Sequence, residues 1–198
     1  MSASAEILHT DPSVLEMVAR WKTDGDAPDL EEYDKPISDE NWLDPGRVAR
    51  RWFFFPSERK LRGLVYYFRN TEGPRAVVHG GCIATVLDVG MARCVNKVSN
   101  SERCVTANLS VNYKKPVPCE SFVLLEAQLG DIPNVSREEQ GSREDPGSAA
   151  TELTYKYNTN CKVTSLDGTV LFNTGSALFV DLAAREKMHS SSGKGIAS

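Results

Sequence analysis

The chain has 198 residues, 40% hydrophobic and 25% charged, with a formal net charge of −4 and a pI near 5.5. This length suits one domain with an extension, and this charge excludes the broad basic surface on which non-specific nucleic-acid binding depends. No apolar run reaches the roughly 18 residues of a membrane span, since Arg93, Asn96 and Lys97 interrupt the best candidate.

The first 34 residues are rich in acids and lack both the apolar core of a secretory signal and the Arg-rich, acid-poor character of a transit peptide. They point to the cytoplasm. Within them, TDPSVLEMVARW predicts a short amphipathic helix, with Asp11 as N-cap, Pro12 at the first helical position, and Val14, Leu15, Val18 and Trp21 at helical spacing. Acidic, Pro-containing sequence to about Pro45 reads as an arm lying over something else, so residues 1–45 form an N-terminal extension.

From Arg50, RRWFFF and KLRGLVYYF, separated by PSER, predict a β-hairpin. The stretch VVHGGCIATVLDVGMARCV, Val77 to Val95, then opens on a histidine and two glycines and continues as a nearly unbroken apolar run. Between Cys82 and Val95 apolar residues cover almost the whole circumference of a helix, as in a helix buried on most sides. Next, Val105, Ala107, Leu109, Val111 and Tyr113 alternate with polar residues, the period of a strand with two unlike faces. SFVLLEAQL predicts another strand. Residues 133–150, polar and rich in Gly, Pro and Ser, read as a mobile loop between strands. TELTYKYNTNCKVTSL and TVLFNTGSALFVDL flank Asp167-Gly168, a dipeptide suited to a two-residue hairpin turn. Residues 183–198 read as a frayed tail. One helix within a run of strands predicts an α+β domain over residues 46–182, an antiparallel sheet wrapped around the helix.

Within that helix Asp88 needs a reason. An ionised carboxylate without partners costs several kcal/mol or so when buried. The ordinary explanation puts Asp88 on a wetted stripe near Thr85 and Ala92, facing solvent or Arg93. The alternative rests on Gly80 and Gly81, which place bare N–H groups at the helix N-terminus, where an oxyanion is favoured. Asp88 lies eight positions after Gly80, about 12 Å along the helix axis. Both can serve one atom only if two subunits meet, which predicts at least a dimer.

The five cysteines, Cys82, Cys94, Cys104, Cys119 and Cys161, form no CxxC pair, and His9, His79 and His189 are too scattered for a metal site. The cysteines read as reduced and mostly buried, and none has an evident histidine partner that would make it a nucleophile.

HGGCIATVLDVGMA followed by VTANLSVNYKKPVP resembles the hotdog-fold acyl-CoA thioesterases, most of all the group formed by thioesterase superfamily members 4 and 5. The similarity runs from about Trp52 to Leu182. It implies a hotdog fold, a homodimer or dimer of dimers with composite sites, and hydrolysis of acyl-CoA in fatty acid metabolism. No metal or cofactor is implied beyond the coenzyme A of the substrate. By position, Gly80 matches the backbone N–H that polarises the thioester carbonyl, and Asp88 the catalytic carboxylate, acting as general base or as nucleophile. Thr106 matches the assisting hydroxyl. His79 matches the motif histidine, which either fixes the turn by a hydrogen bond or acts directly. Gly81, Asn108, Lys114 and Lys115 are candidate substrate-binding residues, the lysines together with Arg50 or Arg51 for phosphates. Some relatives carry an Asn where this chain has Gly73. The members that the chain resembles are mitochondrial, which its N-terminus does not suggest. A hotdog acyl-thioester dehydratase or hydratase, and a non-catalytic acyl-CoA-binding protein, are the competing readings. In the strand as read, Thr106 points away from Val105 and Ala107, so it reaches the site only if that polar face or the strand end borders the dimer seam.

Overall fold

In the computed structural model, which describes residues 3–23, 30–33, 46–130 and 155–192, the run Trp52-Phe53-Phe54-Phe55 is buried on both faces of one strand. Successive strand residues point to opposite faces. Trp52 and Phe54 therefore enter one core while Phe53 and Phe55 enter another. The strand is β2 (Val48–Phe55), paired with β3 (Lys60–Tyr67) as the expected hairpin.

The outer core is built by the N-terminal extension. Helix α2 (Pro12–Thr23) starts as the sequence predicts, with Asp11 Oδ1 accepting from the Ser13 N–H at 2.9 Å and from the Val14 N–H at 3.4 Å. Its buried residues Val14, Met17, Val18 and Trp21 pack on Phe53, Phe55 and Leu64. Before it stands a helix that the sequence reading did not include, α1 (Ala3–Thr10), whose Leu8 is buried in the same cluster. Three residues of the extension, β1 (Glu31–Tyr33), add a strand to the free side of β2. Glu31 pairs with Lys97 and Glu32 with Arg51. The Trp21 ring meets Phe53 edge-on at 5.3 Å and Phe55 at 6.0 Å, with the Arg62 guanidinium 5.5 Å from its centre. Trp21→Ala is expected to cost about 3–5 kcal/mol of stability, read from urea denaturation. A loss below about 1 kcal/mol would show that the helices do not belong to the cooperative fold.

The inner core holds α3 (Gly80–Ser99) against a seven-stranded antiparallel sheet in the order β1-β2-β3-β5-β6-β7-β4. The remaining strands are β4 (Cys104–Tyr113), β5 (Ser121–Leu129), β6 (Lys156–Thr164) and β7 (Leu171–Asp181). The Trp52 indole lies over Gly63 and reaches α3 at Gly90. A methyl group on Gly63 would come within 2.1 Å of the indole. The buried residues of α3 are Ile83, Val86, Leu87, Gly90, Met91, Cys94 and Val95. They recur every three or four positions as one stripe. This corrects the expectation of burial all round: Asp88, Val89 and Ala92, off the stripe, are half-buried.

Three further expectations change. Strand β4 does not alternate regularly, because a bulge interrupts its register with β7 between Thr106 and Asn108. The β6–β7 connection is not a two-residue turn on Asp167-Gly168. The Gly168 N–H closes a turn onto the Ser165 carbonyl at 2.9 Å, with Leu166 and Asp167 central and Gly168 following at φ +74°. Residues after Leu182 are not a frayed tail as far as Ser192, since α4 (Leu182–Ser192) begins there. Asp181 caps it by accepting from the N–H groups of Ala183 and Ala184 at 2.9 and 3.1 Å, and Arg103 holds Glu186 through two bonds of 2.8 and 2.7 Å. The expected loop at 133–150 lies outside the described residues.

Candidate active site at the α3–β4 seam

Strand β4 and helix α3 are tied at two points. The Thr106 hydroxyl donates to Asp88 Oδ1 at 2.8 Å, and the Tyr113 hydroxyl donates to the Gly80 carbonyl at 2.8 Å. The bulge makes the first tie. Directly paired residues of antiparallel strands share a face, and Thr106 pairs with Phe179, Leu109 with Ala177 and Val111 with Gly175. Phe179 and Ala177 belong to the core around α3, so Thr106 and Leu109, three apart, both face the helix. The extra residue at Ala107 reverses the phase of the strand. Thr106 thus reaches Asp88 from its own chain, not only from the strand end or a polar face.

Asp88 sits beside buried Leu87 and is half-buried. Its Oδ1 is occupied by Thr106, which leaves Oδ2 to accept a proton. Arg93, the alternative partner in the sequence reading, instead holds its guanidinium 5.9 Å from the centre of the Trp52 ring.

At the other end, His79 is the N-cap of α3. Its Nδ1 accepts from the Gly81 N–H at 3.0 Å, and its carbonyl accepts the first helical bond, from Ile83, at 3.2 Å. A ring nitrogen that accepts carries no proton, so the ring proton is on Nε2. In this geometry His79 fixes the turn and occupies the Gly81 N–H. The first N–H of the helix, that of Gly80, precedes any intrahelical acceptor. A methyl group added at Gly80 would lie at ordinary contact distance, 3.5 Å, from the Tyr113 ring and hydroxyl. Gly73, where some relatives of the resembled family carry Asn, is closely packed: an added methyl would stand 3.0 Å from the His79 Cα, so the turn at His79 would have to give to admit a side chain.

Beside Gly80 opens a cleft of about 290 Å³, floored by Val78, Ile83 and Val117 and bordered by Tyr113, Lys114 and Lys115. The backbone N–H groups of both lysines donate to the Phe172 carbonyl, which holds them at the mouth. The structure therefore brings Gly80, Gly81, His79, Lys114 and Lys115 together, and Asp88 with Thr106. It does not bring Asn108 to either group, because Asn108 pairs with Leu178 on the face of the sheet away from α3. Arg51 is engaged with Glu32 and the Leu8 carbonyl on the outer side. Arg50 is half-buried, and desolvation together with the nearby Arg93 lowers its pKa to about 10. The residue absent from the candidates is Tyr113. In the sequence its apolar neighbours Leu109 and Val111 made it one more face residue, and its only distinguishing signal was its place at the end of the strand, just before Lys114.

The cysteines are free. Burial raises the pKa of Cys82, and that of Cys94 and Cys161 to about 12, away from the thiolate form that a nucleophile needs. Among the described residues no group of three or more His, Cys, Asp or Glu side chains could hold a metal ion, and no helix is long and apolar enough to cross a membrane.

The family model described as "Thioesterase superfamily" matches residues 76–134. The mouse (Mus musculus) acyl-coenzyme A thioesterase THEM4 is 30% identical over 130 residues, covering 66% of this chain and 46% of that protein. A protein of Saccharomyces cerevisiae named as an uncharacterized mitochondrial membrane protein, FMP10, is 33% identical over 85 residues, covering 41% of this chain and 35% of its own length. Among solved structures, a thioesterase superfamily protein aligns with a TM-score of 0.48 at 25% identity, covering 67% of this chain and 54% of that one. The chain spans about half the length of the mouse relative.

Proposed function

We propose that the chain is a thioesterase of the superfamily whose model matches residues 76–134, and that it hydrolyses acyl-CoA thioesters to a carboxylic acid and coenzyme A. The observation that carries this reading is the Thr106–Asp88 hydrogen bond, which holds a carboxylate with one oxygen free on a helix whose N-terminal N–H lies at a cleft. Water attacks the thioester carbon and gives its proton to Asp88, while negative charge grows on the carbonyl oxygen against the Gly80 N–H. The C–S bond then breaks and the thiolate of coenzyme A leaves. A thioester is electrophilic and its leaving group is good, so one base and one oxyanion donor suffice. Coenzyme A enters as part of the substrate, with Lys114 and Lys115 placed for its phosphates.

The working unit in this proposal is a dimer built on β4. That strand is an edge of the sheet, and Val105, Leu109 and Tyr113 on it are 45%, 36% and 51% exposed. An open edge with exposed apolar side chains favours pairing with another strand. A two-fold axis at the Leu109–Ser110 peptide sets Thr106 of one copy opposite Tyr113 of the second. Thr106 carries Asp88 and Tyr113 carries Gly80, so the acid of one copy approaches the helix start of the other. The separation of about 12 Å within one helix is thereby bridged. The five free cysteines suit a reducing compartment, and the reading places the enzyme in the cytoplasm; co-fractionation with mitochondria would overturn that placement.

The test is release of coenzyme A thiol across a chain-length series of acyl-CoAs, with sedimentation of the same sample. Turnover by a dimer is expected, and Leu109→Asp is expected to shift the protein to monomer and remove turnover together. A fully active monomer overturns the dimer, and enoyl-CoA hydration without thiol release overturns the hydrolase in favour of a hydratase. Acyl-CoA binding without either reaction favours a binding protein.

A further inference from the structure

We propose that Tyr113 is a positioning residue for the oxyanion donor, fixing the first peptide planes of α3 so that the Gly80 N–H keeps one direction. This rests on the hydrolase reading above for its catalytic consequence but not for its structural one.

Two adjacent glycines make a poor helix start, because glycine loses more backbone freedom on ordering than any other residue and helix ends open first. The peptide joining Gly80 to Gly81 is nevertheless held on both sides. Its carbonyl accepts from the Tyr113 hydroxyl at 2.8 Å and its N–H donates to His79 Nδ1 at 3.0 Å. The peptide joining His79 to Gly80 is held through its carbonyl, which accepts from the Ile83 N–H at 3.2 Å, and the His79 backbone N–H donates to the Thr71 carbonyl at 2.8 Å. With the peptides on either side of Gly80 fixed, its dihedrals are fixed and its N–H is aimed. The two clamps differ in kind. His79 belongs to the turn, whereas Tyr113 comes from β4, the strand that also holds Asp88 through Thr106. One strand thereby orients the acid and the donor of its own chain, and the seven-position separation of Thr106 and Tyr113 sets how they meet across a pair.

Tyr113 also borders the cleft with Gly80. Its hydroxyl is turned to the Gly80 carbonyl, so it acts through that peptide and not on the thioester.

Tyr113→Phe keeps the ring and removes the donor. Loss of one hydrogen bond of ordinary strength, about 1 kcal/mol, corresponds to roughly a fivefold to tenfold fall in kcat, with KM within twofold because the ground state needs the donor least. The infrared stretch of the thioester carbonyl in bound acyl-CoA reports polarisation directly, and its shift from the free value is expected to shrink in the variant. In ligand-free protein, the amide of Gly81, which donates to His79 Nδ1, is expected to exchange hydrogen about fivefold to tenfold faster. Unchanged kcat with an unchanged carbonyl stretch overturns the proposal. If wild-type protein releases no coenzyme A, the hydrolase reading fails, yet unchanged amide exchange alone would still refute the clamp. Should Tyr113→Phe fail to fold or dimerise, 3-fluorotyrosine at 113 preserves the shape with a more acidic donor. It is expected to retain wild-type exchange protection or exceed it, and faster exchange overturns the clamp.

Discussion

Asp88→Asn is expected to lower kcat by about 100- to 10,000-fold, the usual worth of a positioned general base. The amide matches the carboxylate in shape and keeps an oxygen to accept from Thr106, so the helix and its tie to β4 survive. What disappears is the second oxygen's capacity to take a proton. Because Asp88 is half-buried and not sealed in the core, neutralising it should leave the unfolding midpoint close to wild type, and binding of an unreactive acyl-CoA analogue unchanged. Wild-type turnover by a verified Asp88→Asn protein would return the residue to a structural role. A single turnover of wild-type enzyme in ¹⁸O water separates the two chemical routes for the acid. Direct attack by water gives labelled product in the first turnover, whereas a mixed anhydride opened by water at the Asp88 carbonyl gives unlabelled product as an Asp88 oxygen is carried away.

The second large effect concerns the backbone. Replacing the Gly80 amide by an ester through semisynthesis removes the N–H and nothing else, and the loss expected for one oxyanion donor is about 100- to 1,000-fold in turnover. Charge on the carbonyl oxygen develops only during attack, so analogue binding should change little. Gly80→Ala is a different experiment. The added methyl has space, 3.5 Å from Tyr113, and the N–H remains, so that variant is expected to stay active. Equal losses in binding and turnover by the ester variant would mean that the residue only shapes the cleft. The Gly81 N–H is not a ready substitute, because His79 already accepts it.

The parts of this molecule that were legible in its sequence are those with a strong period and clean borders. The hairpin at 48–67, the strand Ser121–Leu129 and the start of α2 at Asp11 all follow from alternation, spacing or a cap. Helix α4 had a readable cap in Asp181 but little apolar pattern behind it, and so resembled a tail. In α1, the small residues of ASAEILHT show a helix only once Leu8 finds its neighbours on β2 and β3. Three residues at β1 are too short for any period. At the candidate site, Gly80, Asp88, His79 and Thr106 were singled out through a motif, but their geometry was not legible. The tie between Thr106 and Asp88 depends on a bulge, and one extra residue in a strand leaves composition and spacing locally unremarkable. Tyr113 was hidden for a related reason: an amphipathic ring on an apolar face looks like packing until its hydroxyl has a partner.

Ala107 carries a lesson for reading other chains against this one. It acts as a phase shifter, so residues before it and residues after it obey opposite parity. In a chain built without the additional residue, the hydroxyl that meets the acid must come from the neighbouring position, and the residue written under Thr106 would look outward. Alignment columns on the two sides of Ala107 therefore do not share one meaning, and a serine or threonine in the matching column signifies the same chemistry only where the insertion is shared too. Deleting Ala107 here would leave every candidate site residue in the sequence and still separate Thr106 from Asp88.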